Sequence, residues 1–578
     1  MKRLTNEEIA EKIAETGQLY ELQGVQFKPR AYARAAEQIE SFGQAIVDLY
    51  KEKGEKGLRE IPGVGPGIAG HIVEMLKTGT FAEYKKLKKA IPVDVRDLER
   101  VEHVGPKTAL ALYKKLGVKN VADLRKAAAS GKLAKIVGET TAEKISKGLD
   151  FLKTSGNREI LGHVLPLATR IEEDLRAVPG VKHAVVAGSV RRRQETIGDF
   201  DFIVVADDAE AVMERFVKFS RVVQTIEHGP TMTIVRLKNG MHADVRIVEG
   251  DAYGAVLQHF TGSKEHNIAL RTLAVKRGLK LNEYGLWKGK KRLAARTEED
   301  VYKALGLPYI DPEIRTNEGE LEAAKAGKLP KLIPYGSVRG DLQIQTSWTD
   351  GAASIEKMAE EAKKLGRAYI AITDHTKALA MTGGLDEKRL AAQGREIDAL
   401  NKKLKGFTIL KGSECDILKD GRMDLDDAAL ASLDFVGASI HSHFKLSSEE
   451  QTARVIQAMK NPYVDCIFHP TGRLIGKRPP YELDMLAVLK AAKATGTALE
   501  IDAFPNRSDL RDEHVRMAVK LGVKLVIDTD AHHPSHLGYL DLGVAIARRG
   551  WAEKKDVLNT RPVGELLRWL KTPKTKRR

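Results

Sequence analysis

One stretch decides the fold: Val185-Val-Ala-Gly-Ser-Val-Arg-Arg-Arg-Gln-Glu-Thr-Ile-Gly-Asp-Phe-Asp-Phe-Ile-Val-Val205. An apolar run breaks at Gly188-Ser189, a basic segment follows, and a second apolar run opens with Asp199 and Asp201. Residues two apart in a strand face the same way, so both carboxylates project from one side of a sheet. Two close anions repel each other unless a divalent cation lies between them, and glycine, serine and the following amides can cradle a phosphate. The stretch therefore predicts a site for magnesium and a nucleoside triphosphate, with Arg191, Arg192 and Arg193 supplying positive charge.

Length and composition predict several globular domains and a polyanionic partner. The chain has 578 residues, and domains typically span roughly 100–200 residues. Its net charge of +16 suits a polyanion, although a well-solvated surface gives the same balance. The cysteines Cys415 and Cys466 allow neither a disulfide framework nor a four-thiolate zinc site. We find no signal peptide and no apolar run of about 18 residues, so we expect a cytoplasmic protein. We also expect a monomer.

Two glycine-containing turns near the start of the sequence predict helix-hairpin-helix motifs. The first turn carries Gly63, Gly65 and Gly67, and the second carries Gly105 and Lys107. Exposed turn amides and a following helix N-terminus bind a DNA phosphate without reading sequence. Such a turn alone is also common between ordinary helices. Two copies in a basic chain favour DNA binding.

A third carboxylate follows a predicted hairpin in the same region. The turn Lys238-Asn-Gly240 joins two apolar-alternating runs, and Asp244 lies on the second of them. By itself Asp244 would be an ordinary surface charge. On a strand beside Asp199 and Asp201, it completes a carboxylate set for two metal ions.

Residues 1–318 resemble a family X DNA polymerase, similar to DNA polymerase beta. The resemblance rests on Gly188-Ser189, Arg192, Gly198-Asp199-x-Asp201 and Asp244. It implies an α+β nucleotidyltransferase palm that extends gapped or primed DNA with dNTPs, using Mg²⁺ or Mn²⁺. Asp244 is expected nearest the primer hydroxyl, while Ser189, Arg192 and Gly198 would neutralise the leaving pyrophosphate.

The segment His259-Phe-Thr-Gly-Ser-Lys-Glu-His-Asn-Ile-Ala-Leu-Arg271 resembles the part of that family that closes over the nascent base pair. The resemblance assigns nucleotide contacts to His259, Phe260, Gly262 and Asn267, and a template contact to Arg271. The family usually has Tyr-Phe where this chain has His259-Phe260, so we expect altered ribonucleotide exclusion. His71 stands where the vertebrate enzyme has its Schiff-base lysine, and an imidazole cannot form that imine. We therefore expect no beta-type lyase activity.

The second half of the chain places acidic and imidazole residues at the ends of short apolar runs. These candidate ligands of manganese, zinc or iron are Asp350, His375, Glu414, His441, His469, Asp530 and His532. Strands that alternate with helices suggest a β/α barrel, whose chemistry gathers at the carboxyl ends of the strands. Asp502 and Arg507 follow another such run, where lining the same cavity and capping a helix are both open readings.

This half resembles a PHP domain, the polymerase-and-histidinol-phosphatase type. The resemblance rests on Gly340–Gly351, Thr373-Asp-His375, His469-Pro-Thr-Gly-Arg473 and Asp530-Ala-His532. PHP domains begin with His-x-His, which is Gln343-x-Gln345 here. Glutamine is a weak neutral ligand, so we expect reduced Mn²⁺ or Zn²⁺ occupancy in at least one site of a three-metal cluster. Metal-dependent 3′-to-5′ exonuclease or abasic-site cleavage, and a decayed barrel that only stabilises or positions DNA, both remain open.

We therefore predict a multidomain DNA repair polymerase that fills short gaps, acting in a bacterial cytoplasm at the nucleoid. Its competitors are a nucleotidyltransferase acting on RNA ends or small molecules, and a noncatalytic DNA-binding scaffold. The expected parts are a helical domain with the first hairpin (1–85), a helical subdomain with the second (86–155), the palm (156–250), a nascent-base-pair-binding subdomain (251–318), a linker (319–336), a distorted β/α barrel of the PHP type (337–570) and a disordered basic tail (571–578).

Overall fold

A computed structural model describes residues 4, 6–40, 46–61, 63–99, 101, 104–155 and 158–577. The chain forms two compact units: residues 1–156 with 533–536, and the other residues from 157 onward. None of the described helices combines the length and apolar character needed to cross a membrane.

The first unit is helical. Its helices are α1 (Asn6–Leu22), α2 (Lys28–Glu40), α3 (Ile46–Leu58), α4 (Pro66–Thr78), α5 (Ala82–Ala90), α6 (Val95–Glu99), α7 (Pro106–Leu116), α8 (Val121–Ala129), α9 (Ala134–Val137) and α10 (Glu139–Ser155). Proline suits the first turn of a helix because its missing N–H would have no partner there. Accordingly α4 starts at Pro66 after Gly65, and α7 starts at Pro106 after Gly105. Both predicted hairpins therefore form, as α3–turn–α4 and α6–turn–α7.

The palm opens the second unit. It contains β1 (Glu159–Ile160), α11 (Leu161–Arg176), β2 (Val181–Val186), α12 (Gly188–Arg191), β3 (Thr196–Ile197), β4 (Asp199–Ala206), α13 (Ala209–Val217), β5 (Val222–His228), β6 (Met232–Leu237) and β7 (His242–Ile247). Its main sheet has the order β2-β4-β7-β6-β5. Phe200, Phe202 and Val204 are buried on one side of β4, as strand alternation requires. The opposite face is thereby left to the two aspartates.

The next subdomain packs helices around a small sheet. It contains α14 (Tyr253–Thr261), α15 (Lys264–Lys276), β8 (Lys280–Asn282), β9 (Gly285–Lys288), β10 (Lys291–Ala294), α16 (Glu298–Ala304) and α17 (Glu320–Lys325). Leu321 and Leu332 are buried in the same core as Leu270 and Tyr302. Residues of the stretch expected to be a linker (319–336) therefore contribute to this core, because Leu321 and Leu332 pack against its apolar side chains.

The barrel region contains seven parallel strands in sequential order. Its elements are β11 (Gly340–Asp341), α18 (Ile355–Lys364), β12 (Tyr369–Ile372), α19 (Glu387–Asn401), β13 (Thr408–Asp416), α20 (Asp427–Ala431), β14 (Phe435–Ser439), α21 (Ser448–Lys460), β15 (Cys466–Ile467), α22 (Met485–Thr495), β16 (Ala498–Asp502), α23 (Asp512–Leu521), β17 (Leu525–Asp528), α24 (Leu540–Arg549) and α25 (Val563–Lys571). Beyond β11 and β17 the chain forms a parallel bridge between Ile344 and Ala531. That bridge joins the two edges of the sheet, and the expected distorted β/α barrel is confirmed.

The basic tail corrects an expectation from the sequence. Residues 571–577 are ordered against the barrel, and a 3-10 turn spans Lys574–Lys576. Arg577 Nη1 donates to Asp465 Oδ1 at 2.7 Å, with both side chains buried, and Lys574 Nζ donates to the carbonyls of Met459 and Asn461. The prediction of a disordered tail is wrong because these cations meet buried acceptors that the local sequence does not reveal.

Candidate functional site

The three palm aspartates lie on two neighbouring parallel strands. Asp201 on β4 pairs in register with Asp244 on β7, and Asp199 pairs with His242. Asp199 is exposed, whereas Asp201 and Asp244 are half-buried. Since neighbours in register share a face, the carboxylates of Asp201 and Asp244 project together, and Asp199 lies on the same face two residues away.

The electrostatics of these aspartates favour a bound cation. Burial, reinforced by Asp199 and Asp244, raises the pKa of Asp201 to about 7. Burial and then Asp199 also raise the pKa of Asp244. A set of carboxylate oxygens suits a hard divalent ion, which would remove the repulsion behind these shifts. The donor set therefore fits magnesium or manganese.

The segment before β4 approaches the carboxylates closely. Gly188 has a φ of 57°, and a Cβ atom at this position would collide with Asp201 Oδ2. Arg192 Nη1 donates to the carbonyl of Thr261, while its buried Nε has no hydrogen-bond partner among the described residues. A bound anion would satisfy that donor. Gly188 and Arg192 thus bring backbone and positive charge to the aspartates.

Arg191 has a different role from the one that the sequence suggested. Its guanidinium forms a two-pronged pair with Glu298, with distances of 2.9 Å (Nη1–Oε1) and 2.5 Å (Nη2–Oε2). Arg315 Nη1 donates to Glu298 Oε1 at 2.6 Å from a fully buried position. Glu298 therefore already neutralises Arg191 and ties α12 to α16. The sequence offered no signal for this pairing across 107 residues.

Contacts between α14 and α15 hold the segment from His259 to Arg271 together. Asn267 Oδ1 accepts from Gln258 Nε2 at 2.7 Å, and Asn267 Nδ2 donates to the carbonyl of His259 at 2.7 Å. Arg271 Nη2 lies 3.1 Å from His259 Nδ1. The helix spacing thus brings Asn267 and Arg271 to one face beside His259, as expected for α15.

Arg246 connects this segment to the palm. It follows Asp244 by two positions on β7, so both project from the same face. Its guanidinium lies 4.8 Å from the centre of the Phe260 ring, and its Nε has no hydrogen-bond partner among the described residues. Sequence reasoning overlooked Arg246, although strand alternation could have identified it.

In the first unit, the helix-hairpin-helix turns are open. A Cβ atom at Gly65, Gly67 or Gly105 would meet no atom within 4 Å. Gly63 has a φ of 79°, which favours glycine at the turn. The side chain of Lys107 lies outside the described residues.

A cavity of about 530 Å³ adjoins the first of these turns, with Lys28, Tyr32 and His71 in its wall. The His71 ring stacks on Phe81 at 4.4 Å between ring centres. Burial lowers the pKa of His71.

The barrel gathers its predicted ligands around Glu414. His375 Nδ1 lies 3.2 Å from Glu414 Oε2, and His441 Nε2 and His469 Nε2 lie 3.3 and 2.8 Å from Glu414 Oε1. Asp350 Oδ1 lies 3.7 Å from His375 Nε2 and 3.8 Å from His532 Nε2. These six residues come from the ends of different strands, where a barrel places its chemistry.

Within this assembly, two groups of three residues have ligand atoms that all lie within 4.8 Å of one another. They are Asp350, His375 and His532, and His375, Glu414 and His441. The buried atoms Asp350 Oδ1, His375 Nδ1, His441 Nδ1 and His469 Nδ1 have no hydrogen-bond partner among the described residues. The palm aspartates are not gathered this tightly. Imidazole and carboxylate donors fit manganese or zinc, so the barrel residues present suit divalent ions.

Burial and neighbouring charges set the protonation of this centre. Burial by itself would raise the pKa of Glu414, but His375 and His441 hold it well below its ordinary value. Despite burial, Glu414 and Asp416 raise the pKa of His441 to about 9. Burial and Arg507 lower the pKa of His469 to about 4. Glu414 is thus the central anion of the barrel.

One corner of the barrel centre is filled by other protein groups. Gln345 Nε2 donates to Glu414 Oε2 at 2.7 Å. With the side-chain amide of Gln343 turned so that its nitrogen faces Glu500, that nitrogen donates to Glu500 Oε2 at 3.3 Å. Arg507 Nε lies 3.1 Å from Asp530 Oδ2 and 3.3 Å from Asp502 Oδ2. The donors of Gln345 and Arg507 therefore occupy carboxylate oxygens that a metal would otherwise take. Arg507 thus pairs with the candidate ligand Asp530, and Glu500 is a carboxylate that sequence reasoning overlooked.

These features define a two-part class of protein. An α+β palm with a carboxylate triad and a nearby glycine turn is a nucleotidyltransferase core, and a β/α barrel with a histidine–carboxylate centre accompanies it. Family models match residues 4–81 (helix-hairpin-helix domain), 95–150 (SAM-like helix-hairpin-helix tandem), 256–316 (DNA polymerase beta thumb) and 341–493 (PHP domain).

Curated relatives give the same division. The chain is 37% identical over 551 residues to the DNA polymerase/3′-5′ exonuclease PolX of Bacillus subtilis, covering 94% of this chain and 95% of that protein. It is 26% identical over 345 residues to the DNA polymerase lambda of Rattus norvegicus (54% of this chain, 56% of that protein). A probable phosphatase of Thermoanaerobacter sp. is 32% identical over 234 residues (39% of this chain, 90% of that protein). The chain belongs to the family X DNA polymerases that carry a PHP domain, and the recognition made from the sequence is confirmed.

Proposed function

We propose that this DNA polymerase fills short gaps during DNA repair, with Asp199, Asp201 and Asp244 as its metal-binding carboxylates. The observation that carries the proposal is the register pairing of Asp201 with Asp244 beside the Gly188 turn. Magnesium bound there would lower the pKa of the primer hydroxyl and carry the triphosphate. A DNA substrate favours action in the cytoplasm at the nucleoid.

The chain's own residues would orient both substrates. Asp244 would accept or hold the proton of the primer 3′-hydroxyl. Ser189, Arg192 and Gly198 would stabilise negative charge that develops on the leaving pyrophosphate. Phe260 and Asn267 would hold the incoming nucleotide, and Arg271 the template. Glycines of the two helix-hairpin-helix turns would bind the DNA backbone at either side of a gap.

Single-nucleotide insertion on gapped DNA tests this function. Wild type should select the complementary base among all four dNTPs, and Asp201→Ala should lose at least about a hundredfold in kcat. Asp207→Ala removes an exposed carboxylate just beyond β4 and should retain activity. Insertion without template selection would favour a nucleotidyltransferase that acts on RNA ends or small molecules. Unchanged insertion by Asp201→Ala would remove the aspartates from the mechanism.

The barrel supports a second activity, metal-dependent 3′-to-5′ cleavage of DNA. The supporting observation is the set of buried ring nitrogens that have no hydrogen-bond partner beside Glu414. Manganese or zinc bound there would activate water for attack on a phosphodiester. Gln345 and Arg507 already engage the carboxylates of Glu414 and Asp530. We therefore infer that divalent metal ions bind this centre more weakly than they bind a barrel that begins with His-x-His.

Degradation of a single-stranded primer in manganese tests this activity. It should disappear in His375→Ala and persist in Asp201→Ala, because the two residues belong to separate centres. Cleavage of an abasic-site duplex in the same reactions reports the other proposed nuclease activity. No degradation at any manganese concentration would favour a barrel that only stabilises or positions DNA.

A further inference from the structure

The loop between α12 and β4 links the phosphate-binding turn to the first two aspartates. Its residues run from Arg192 to Gly198, and β3 within it pairs with β1. Within the loop, Gln194 N donates to the carbonyl of Ser189 at 3.0 Å. The loop therefore connects Ser189 and Arg192 on one side with Asp199 on the other.

The barrel contacts this loop through Arg473. Arg473 Nη1 donates to Glu195 Oε2 at 3.2 Å, and Nη2 donates to Glu195 Oε1, in a parallel two-pronged pair. The Arg473 side chain is 7% exposed and that of Glu195 is 26% exposed, so water screens the pair only partly. Such a two-pronged pair fixes the orientation of the Glu195 carboxylate relative to Arg473 as well as the distance between them.

Arg473 itself is held by a well-ordered part of the barrel. It follows β15 by a few residues, in the segment that begins with His469. In that segment Thr471 N donates to Asp509 Oδ2 at 2.9 Å, and Gly472 N donates to the carbonyl of His469 at 2.9 Å. Arg473 Nη2 also donates to the carbonyl of Ser508. The loop is thus bonded to a segment that is itself hydrogen-bonded within the barrel.

A second barrel arginine, Arg549, binds the same loop at Arg193, which has a positive φ. Arg193 has a φ of 52°, a left-handed conformation that is costly for a residue with a side chain. Its carbonyl accepts from Arg549 Nη1, and Arg549 Nε donates to Asp512 Oδ2 at 2.8 Å. Arg549 is 7% exposed. A buried donor therefore stabilises the unusual backbone conformation beside Arg192.

The palm helix that starts next to this loop also packs tightly on the barrel. Leu161 N, at the start of α11, donates to the carbonyl of Glu195 at 3.0 Å. A Cβ atom at Gly162 would come within 2.8 Å of both Leu542 Cδ1 and Pro505 Cγ. The glycine permits this close approach, which leaves the loop little freedom to shift.

We propose that the barrel holds the nucleotide-binding loop of the palm in its working conformation, with Arg473 and Arg549 as positioning residues for nucleotide insertion. The proposal rests on the polymerase function proposed above. Neither arginine is among the residues proposed above to contact the nucleotide; each would act through the loop that begins at Arg192 and leads to Asp199. The barrel is therefore a structural part of the polymerase centre, whether or not it cleaves DNA.

Insertion of one nucleotide into gapped DNA by the full chain tests the proposal. Arg473→Ala and Arg549→Ala should each lose about ten- to a hundredfold in kcat/KM for the dNTP, as misplacement of reacting groups by about 1 Å does. We expect much of the loss as a higher KM for the dNTP, with unchanged affinity for gapped DNA. Partial unfolding would instead lower the fraction of active enzyme and leave the KM of the remainder unchanged.

Matched variants separate positioning from a general loss of structure. Arg516→Ala also removes a barrel arginine that reaches the polymerase half, but its Nη2 donates to the carbonyl of Glu318, away from the loop. It should keep the wild-type kcat/KM. Glu195→Gln leaves the barrel untouched and should reproduce the defect of Arg473→Ala. The double variant Glu195→Arg/Arg473→Glu should recover activity relative to Arg473→Glu alone.

Two outcomes are distinguishable. If wild type itself fails to insert nucleotides, the proposed function is wrong. If wild type inserts them and folded Glu195→Gln, Arg473→Lys, Arg473→Ala and Arg549→Ala all stay within twofold of it, the positioning role is wrong.

Discussion

The buried group Arg191–Glu298–Arg315 allows a prediction about stability that can be worked from its contacts. Glu298 is 5% exposed and carries two guanidinium partners at 2.5 and 2.6 Å. Replacing it by alanine leaves two buried cations without their counter-charge. Breaking a buried pair by removing one partner costs about 3–5 kcal/mol. We expect Glu298→Ala to lie at the lower end, since Arg191 keeps its bond to Thr261 Oγ1.

The titration of Glu298 gives a similar magnitude. Burial would raise its pKa, but Arg315 and Arg191 lower it from 4.5 to about 2. That change corresponds to about 3 kcal/mol at neutral pH. Because the folded-state pKa is the lower one, this stabilisation is present above pH 4.5 and is lost as the pH falls towards 2. The difference between wild type and Glu298→Ala should therefore shrink over that range.

Hydrogen exchange measured by mass spectrometry is the suitable assay, because it reports opening of each segment separately. A loss of about 3 kcal/mol should speed amide exchange in α12 and α16 by roughly a hundredfold at pH 7. Glu299→Ala, an exposed neighbour in the same helical turn, should exchange like wild type. Equal protection of α12 and α16 in both variants would show that Glu298 does not hold these helices together.

Three further predictions concern other parts of the second unit. His259→Tyr should increase discrimination against ribonucleotides by about tenfold, because a larger ring beside the sugar restricts space; competing dNTP and rNTP insertion measures the ratio, and identical ratios would contradict the role. Burial lowers the pKa of His266 from 6.5, and its partner Glu320 also has a pKa below 4.5, despite burial, because His266 lies beside it. His266 therefore makes stability fall as the pH drops below 6.5, and Glu320 adds a further fall only below pH 4.5. Between pH 6.5 and 4.5 the unfolding temperature of wild type should depend on pH more steeply than that of His266→Gln, and parallel profiles over that range would refute this. Arg577→Ala should lower the unfolding temperature of the barrel by roughly 5–10 °C, because it leaves Asp465 buried without its partner; the exposed Lys576→Ala is the control, and equal melting temperatures would show that the tail is dispensable.

The barrel also shows how a predicted ligand set can converge in the fold and still be incomplete. The positions of His375, Glu414, His441 and His532 followed from the ends of apolar runs, and they converge in the structure. The pattern also included Asp530, which pairs with Arg507. The damaged first motif was visible as Gln343 and Gln345, but only the fold showed that their amides meet Glu414 and Glu500.

The sequence by itself determined the parts whose signals are local and periodic. Alternation along β4 placed Asp199 and Asp201 on one face, and a hairpin turn supplied the strand with Asp244 beside them. Proline and glycine at fixed offsets marked the starts of α4 and α7. Alternating strands and helices predicted the barrel. Each of these signals depends on the geometry of a few consecutive residues, which the chain carries wherever it folds.

Tertiary structure alone decided which charge meets which. Arg191 and Arg192 are adjacent and chemically identical, yet the first pairs with Glu298, whereas the buried Nε of the second has no hydrogen-bond partner among the described residues. The sequence predicted a solvated basic tail, but in the structure Arg577 pairs with the buried Asp465. Buried charges must find partners, and those partners come from distant segments that only packing brings together. The order of residues therefore specified the chemistry available to this polymerase, and the packing assigned each charged group its partner.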